Sequence, residues 1–93
     1  MHKNIYAAKL IVTGMVQGIG YRYFVQKVAE EEHVLGYVKN NSDGNVEIFV
    51  ECDKNNFEKF LSRIKTEHPY AIVDKIEITQ QPIYNYSTFS IKY

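Results

Sequence analysis

Cysteine, proline and net charge are all scarce in this 93-residue chain: one Cys, two Pro, and eleven basic residues balanced by eleven acidic ones. The lone Cys52 excludes an intrachain disulfide and fits a reducing compartment. Its expected role is that of a small apolar packing residue. No Pro/Ser-rich linker, low-complexity tract or internal repeat divides the sequence. A net charge of zero argues against non-specific binding to nucleic acid or to an anionic membrane. No apolar run approaches the roughly 20 residues that span a bilayer. The opening stretch MHKNIYAAKLIVTG lacks the small-residue pattern of a cleaved leader, so a cytoplasmic protein is expected. His2, His33 and His68 show no metal-ligand spacing with one another or with Cys52, and no metal site is expected.

Hydrophobic residues make up 45% of the chain and charged residues 24%. That is an ordinary globular balance, and one domain over residues 1–93 is the default. The charges are unevenly placed. Residues 1–29 hold Lys3, Lys9, Arg22 and Lys27 and no acid, while every Asp and Glu lies from Glu30 onward. A locally positive first third suits a small anionic ligand.

Tyr6–Thr13 is apolar and partly β-branched, which predicts a strand with Leu10 and Val12 on one face. A loop from Gly14 to Gly20 follows. Tyr21, Phe24, Val25, Val28 and Ala29 then repeat at helical spacing, predicting a helix to about His33. Glu30, Glu31 and Glu32 sit in its last turn, where the helix dipole disfavours acids; they read as a solvated end. Val34–Asn40 predicts a second strand, Asn41–Gly44 a turn ending in Asp-Gly, and Val46–Val50 a third strand. Asp53 is a candidate cap for a second helix whose Phe57, Phe60, Leu61 and Ile64 share one face. His68-Pro69 ends it. Ala71–Thr79 predicts a fourth strand, and a turn around Pro82 leads to a short last strand over Thr88–Tyr93. This order is an α+β, ferredoxin-like βαββαβ sandwich: a mainly antiparallel sheet, both helices on one face, and a short C-terminal strand. That scaffold hosts enzymes, RNA binders and regulatory domains, so function must be read from a site.

The candidate site is the loop Gly14-Met15-Val16-Gln17-Gly18-Ile19-Gly20 and the helix start that follows it, Tyr21-Arg22. Three glycines in seven residues permit positive φ and close backbone approach to a ligand. No Ser, Thr, Asp or Asn caps the helix, so its first N–H groups are free for an anion. Arg22, in the first turn, can offer paired donors to the same anion. The competing reading is a tight turn capped by water, with Arg22 simply on the surface. Neither glycine fingerprint of the nucleotide-binding folds is present. A second element, Gly36-Tyr37-Val38-Lys39-Asn40, ends in a residue that forms strands poorly. Asn40 either opens the hairpin turn or holds a water beside a phosphate through its carboxamide. Lys39 either adds to the positive field or is a solvated lysine.

Gly14-Met15-Val16-Gln17-Gly18-Ile19-Gly20-Tyr21-Arg22 resembles the acylphosphatase signature G-x-V-Q-G-V-x-F-R. Gly36-Tyr37-Val38-Lys39-Asn40, with Gly44 and Val46 beyond it, resembles the family's second signature. The ending Phe89-Ser90-Ile91-Lys92-Tyr93 is similar to its F-x-I-x-Y close. One departure is Cys52, which falls where the family has a later Gly and bears on backbone geometry rather than on chemistry. The resemblance implies an enzyme that hydrolyses acyl phosphates without metal, cofactor or covalent intermediate. It implies Arg22 and Asn40 as catalytic residues, and phosphate binding by Met15, Val16, Gln17, Gly18, Ile19, Gly20, Tyr21 and Arg22. The expected partners are a small acyl phosphate and inorganic phosphate, with no nucleic acid or membrane, acting on a monomer. The alternative is a non-catalytic acylphosphatase-like binding module. An RNA-recognition domain would need its basic and aromatic pattern in the third strand, and Val46-Glu47-Ile48-Phe49-Val50 lacks it.

Overall fold

A computed structural model describes residues 4–93; His2 and Lys3 lie outside the described residues. The elements are β1 (Ile5–Met15), α1 (Tyr21–Glu31), β2 (Leu35–Asn40), β3 (Val46–Asp53), α2 (Lys54–Thr66), β4 (Ile72–Gln80) and β5 (Phe89–Lys92). They build one five-stranded sheet in the order β4-β1-β3-β2-β5. Every pairing is antiparallel except β2 with β5, which run parallel. Both helices cover the face formed by Ala8, Leu10 and Val12 of β1, Val38 of β2, and Val46, Ile48, Val50 and Cys52 of β3. From α1 this core receives Tyr21, Val25, Val28 and Ala29, and from α2 Phe57, Phe60 and Ile64. Burying each of the larger side chains contributes roughly 1.5–3 kcal/mol.

Local chemistry explains the element ends. Helix α1 stops at Glu31, short of the expected His33, because His33 turns left-handed at φ 60° and the Val34 N–H bonds the Ala29 carbonyl. That closure satisfies an otherwise orphaned carbonyl. Helix α2 starts on Asp53, whose carboxylate accepts the Asn55 N–H at 3.0 Å. Gly36 lies so close to the Phe49 carbonyl across the β2–β3 pair that a Cβ there would collide with it. Cys52 sits in regular register opposite Tyr6 with an ordinary extended backbone, so the ladder accepts a side chain at this position. Burial pushes its thiol up to about 12.

Two expectations are corrected here. Glu31 and Glu32 do not form a solvated end: Arg63 of α2 bonds both, at 2.8 and 3.1 Å, and also Glu67 at 2.8 Å. One guanidinium thereby ties the C-terminal ends of the two helices together. The chain after Gln80 is also more than a turn around Pro82. Because β4 and β5 lie at opposite edges, residues 81–88 must cross the sheet, and they do so over the face away from the helices. Tyr84 and Tyr86 pack there on Phe49, with ring centroids 5.5 and 5.3 Å away. Glu51, the one charged residue among the buried ones described, is only 4% exposed beneath this strap. Its carboxylate accepts the backbone N–H groups of Tyr84, Asn85 and Tyr86. Phe49 is buried for the same reason. No described helix is long and apolar enough to cross a membrane.

Candidate active site

Strand β1 delivers the chain to the loop over residues 16–20, and α1 carries it away. Gly18 and Gly20 both have φ 77°, a left-handed conformation that side chains resist. Gly20 is the N-cap of α1 and supplies no side-chain hydrogen bond, in contrast to Asp53 at α2. Among the described residues, no backbone or side-chain acceptor meets the N–H groups of residues 17–20. The first-turn N–H groups of Tyr21, Arg22 and Tyr23 precede the first helical bond, which runs from Phe24 to Gly20 at 3.1 Å. Unpaired donors and the positive end of the helix dipole therefore converge on one spot.

Beside that spot is a cavity of about 190 Å³ lined by Val16, Gly18, Gly20, Tyr21, Arg22, Tyr23, Asn40, Ile91 and Tyr93. Among the described residues no acidic side chain lines it, and Arg22 is the only cation that does. Arg22 is fixed from β5: its Nη1 donates to the Lys92 carbonyl at 3.1 Å, and its guanidinium lies 4.8 Å from the centre of the Tyr93 ring. Among the described residues this is the guanidinium's one hydrogen bond, which leaves its other donors without a protein partner in a residue that lines the cavity. Asn40 enters from the end of β2. Its Oδ1 is buried and has no hydrogen-bond partner among the described residues. A buried carbonyl oxygen left unbonded costs about 1–3 kcal/mol, so this one is poised for a donor.

The structure brings Arg22, Asn40, Val16, Gly18, Gly20 and Tyr21 to one cavity and leaves Met15, Gln17 and Ile19 outside its lining. Met15 is exposed at the end of β1, opposite Ile72. Ile19 packs against the core. The Gln17 side chain points to the hairpin turn, where Nε2 donates to the carbonyls of Asn41 and Asn45, both at 2.9 Å. It braces the loop against the turn that follows Asn40. Tyr21 contributes only main chain to an anion, since its hydroxyl donates to the Ile64 carbonyl at 2.7 Å. Burial pushes that phenol far above its ordinary value and keeps it neutral.

Among the described cations of the first third, only Arg22 lines this cavity. Lys27 is exposed on α1, and Lys9 and Lys39 stand near Glu47 on the sheet face away from the helices. Burial opposes ionisation of Glu47. Hydrogen bonds from Tyr37 and Asn41, and the charges of Lys39 and Lys9, outweigh it and hold the carboxyl below its usual value. Sequence reasoning missed Tyr23, Ile91 and Tyr93 as lining residues. The signal available for Tyr23 was its place next to Arg22 and off the apolar stripe of α1. Among the described residues no three His, Cys, Asp or Glu side chains cluster as a metal site would require.

A family model described as Acylphosphatase matches residues 8–91. The chain belongs to the acylphosphatase family. An acylphosphatase of Archaeoglobus fulgidus is 41% identical over 87 residues, covering 94% of this chain and 98% of that protein. The crystal structure of acylphosphatase from Bacillus subtilis superposes with a TM-score of 0.91 at 38% identity, over 95% of this chain and 99% of that one. The same architecture recurs inside T. kodakarensis HypF, with a TM-score of 0.86 and 34% identity over 95% of this chain and 12% of that one. As an acylphosphatase the chain is a hydrolase, and the family's substrates are small acyl phosphates.

Proposed function

We propose that the cavity at the start of α1 hydrolyses the carboxyl–phosphate bond, with Arg22 and Asn40 as its catalytic residues. The phosphoryl group sits on the main-chain N–H groups of residues 16–21. Arg22 pairs with its non-bridging oxygens, and the grip of Lys92 and Tyr93 on the guanidinium removes the freedom it would otherwise lose on binding. Asn40 accepts from the attacking water and holds it in line with the leaving carboxylate. Water oxygen bonds to phosphorus, the bond from phosphorus to the acyl oxygen breaks with its electron pair leaving on the carboxylate, and the water proton passes to a phosphate oxygen. A carboxylate leaves readily, so positioning and charge stabilisation carry the reaction.

The observation that carries this reading is that Asn40, whose buried Oδ1 is unbonded, lines the same cavity as Arg22. Its test is hydrolysis of benzoyl phosphate by the wild type, Asn40→Ala and Arg22→Ala side by side. Asn40→Ala should lose about 10²–10³ in kcat, the usual cost of one donor or acceptor used in the transition state. Arg22→Ala should lose more and also weaken competition by inorganic phosphate. Near wild-type kcat in Asn40→Ala would overturn the water-positioning role.

We also infer one domain over 1–93 acting alone in the cytoplasm as a monomer, on small acyl phosphates rather than on nucleic acid or membrane. Cys52 is a buried free thiol rather than half of a disulfide, which supports a reducing compartment. The second reading, a binding module without catalysis, is favoured by the occurrence of this architecture within the much larger HypF. The same assay separates them, because a module would bind phosphate and turn nothing over.

A further inference from the structure

Almost every described aromatic side chain in the molecule has a ring or a cation as partner. Tyr6 packs on Phe57, Tyr21 on Phe24, Tyr37 on Phe49, Phe60 on Phe89, Tyr70 on His68, Tyr84 on Tyr86, and Tyr93 on Arg22. Tyr23 alone among them has neither, and its hydroxyl makes no hydrogen bond to a described residue. It stands 71% exposed in the first turn of α1, on the rim of the catalytic cavity. A single exposed tyrosine is unremarkable. An unpartnered one placed next to the catalytic guanidinium, on the wall of the cavity, is a surface waiting for a ring.

The chemistry of the site says what would arrive there. At about 190 Å³ the cavity falls below the roughly 300 Å³ where pockets for drug-sized ligands begin, so it takes a phosphoryl group and little more. Its polar groups, Arg22, Asn40 and the loop amides, are all assigned to phosphate and water. The acyl group must therefore project through the mouth, in line with and away from the water held by Asn40. The mouth is marked by its two exposed aromatic lining residues, Tyr23 and Tyr93. Tyr93 is already committed to Arg22. Among the described residues no cation other than Arg22 lines the cavity to receive a second anionic group on the acyl chain.

We propose that Tyr23 is a specificity-determining residue whose ring packs on the acyl group and favours aromatic acyl phosphates over short or anionic ones; this rests on the phosphate-and-water assignment above. The contact exists both before and during bond cleavage, so it acts on KM and not on kcat. An aromatic pair of this kind corresponds to about a threefold to tenfold preference.

The test compares benzoyl phosphate with acetyl phosphate on wild type, Tyr23→Phe and Tyr23→Ala, with inorganic phosphate as competitor. The ratio of kcat/KM for benzoyl over acetyl phosphate should fall about threefold to tenfold in Tyr23→Ala, through KM for benzoyl phosphate. Tyr23→Phe should keep the wild-type ratio, and inhibition by phosphate should stay unchanged in both variants. An unchanged ratio in Tyr23→Ala, or an equal loss on both substrates, would overturn the role of Tyr23 while leaving the catalytic assignment standing. Wild-type protein that hydrolyses neither acyl phosphate, or that phosphate does not inhibit, would overturn the catalytic assignment and this inference with it.

Discussion

Replacing Glu51 by Gln tests whether the back of the sheet is held by a buried charge. In the native protein one carboxylate oxygen accepts from Tyr84 and Asn85 and the other from Tyr86 at 2.8 Å. A carboxamide has a single acceptor oxygen, so in either orientation at least one of these N–H groups meets an NH₂ donor instead. The bonds that survive also drop from the charged class, about 1.5–3 kcal/mol each, to the neutral one of about 0.5–1.5. Relief of the carboxylate's burial offsets part of this. The net expectation is a loss of about 2–3 kcal/mol, a large share of the roughly 5–15 kcal/mol that holds a small protein folded. For a chain of this length that lowers Tm by roughly 10–20 °C. Thermal melting by circular dichroism reads it, and hydrogen exchange should show the amides of residues 84–86 opening faster than those of β1. A Tm within about 3 °C of wild type would refute the reasoning, since less than 1 kcal/mol would then rest on the carboxylate.

Gln17→Ala removes the brace between the loop and the hairpin turn without touching the cavity wall; kcat/KM for benzoyl phosphate should fall about tenfold while Tm shifts by only a few degrees, the signature of lost positioning. Glu47 is held below its ordinary value of 4.5 in the fold, so its contribution is present above that pH and is lost as pH falls through the lower folded value. Stability curves of wild type and Glu47→Gln should therefore converge in acid and diverge near neutrality. Cys52, with its thiol pushed up to about 12 from 9.0, should resist a disulfide reagent at pH 8 in the native protein and react promptly once urea unfolds it.

Both helices were legible in the sequence because each buries one stripe at a 3.6-residue spacing, and Asp53 signals its own cap. The element order and the split sheet followed from those periods. What stayed hidden depends on partners more than twenty residues away. The strap over residues 81–88 has no repeat of either period, so nothing in QPIYNYST announces that it lies on Phe49 and Glu51. Val46–Val50 then reads as a strand with one buried face, when its Phe49 is buried on the other. The acids at the end of α1 looked misplaced for the helix dipole until Arg63 supplied their partner from α2. At the site, residue type left both Arg22 and Asn40 open to a bland reading, and the resemblance to the two family signatures singled them out. The bracing by Gln17 did not show, because its acceptors exist only once the turn over residues 41–45 has folded.

Gly36 shows how unevenly a motif speaks. Its want of a side chain is dictated by the Phe49 carbonyl on the neighbouring strand, a demand of chain crowding that has nothing to do with phosphate. A copy of this architecture that had lost all turnover would still be obliged to keep it. Matching a glycine there certifies that two strands can lie side by side. On the assignment proposed above, whether a given copy is an enzyme is answered at positions 22 and 40, and an inert descendant should be recognisable by an intact strand pairing beside a changed guanidinium or carboxamide.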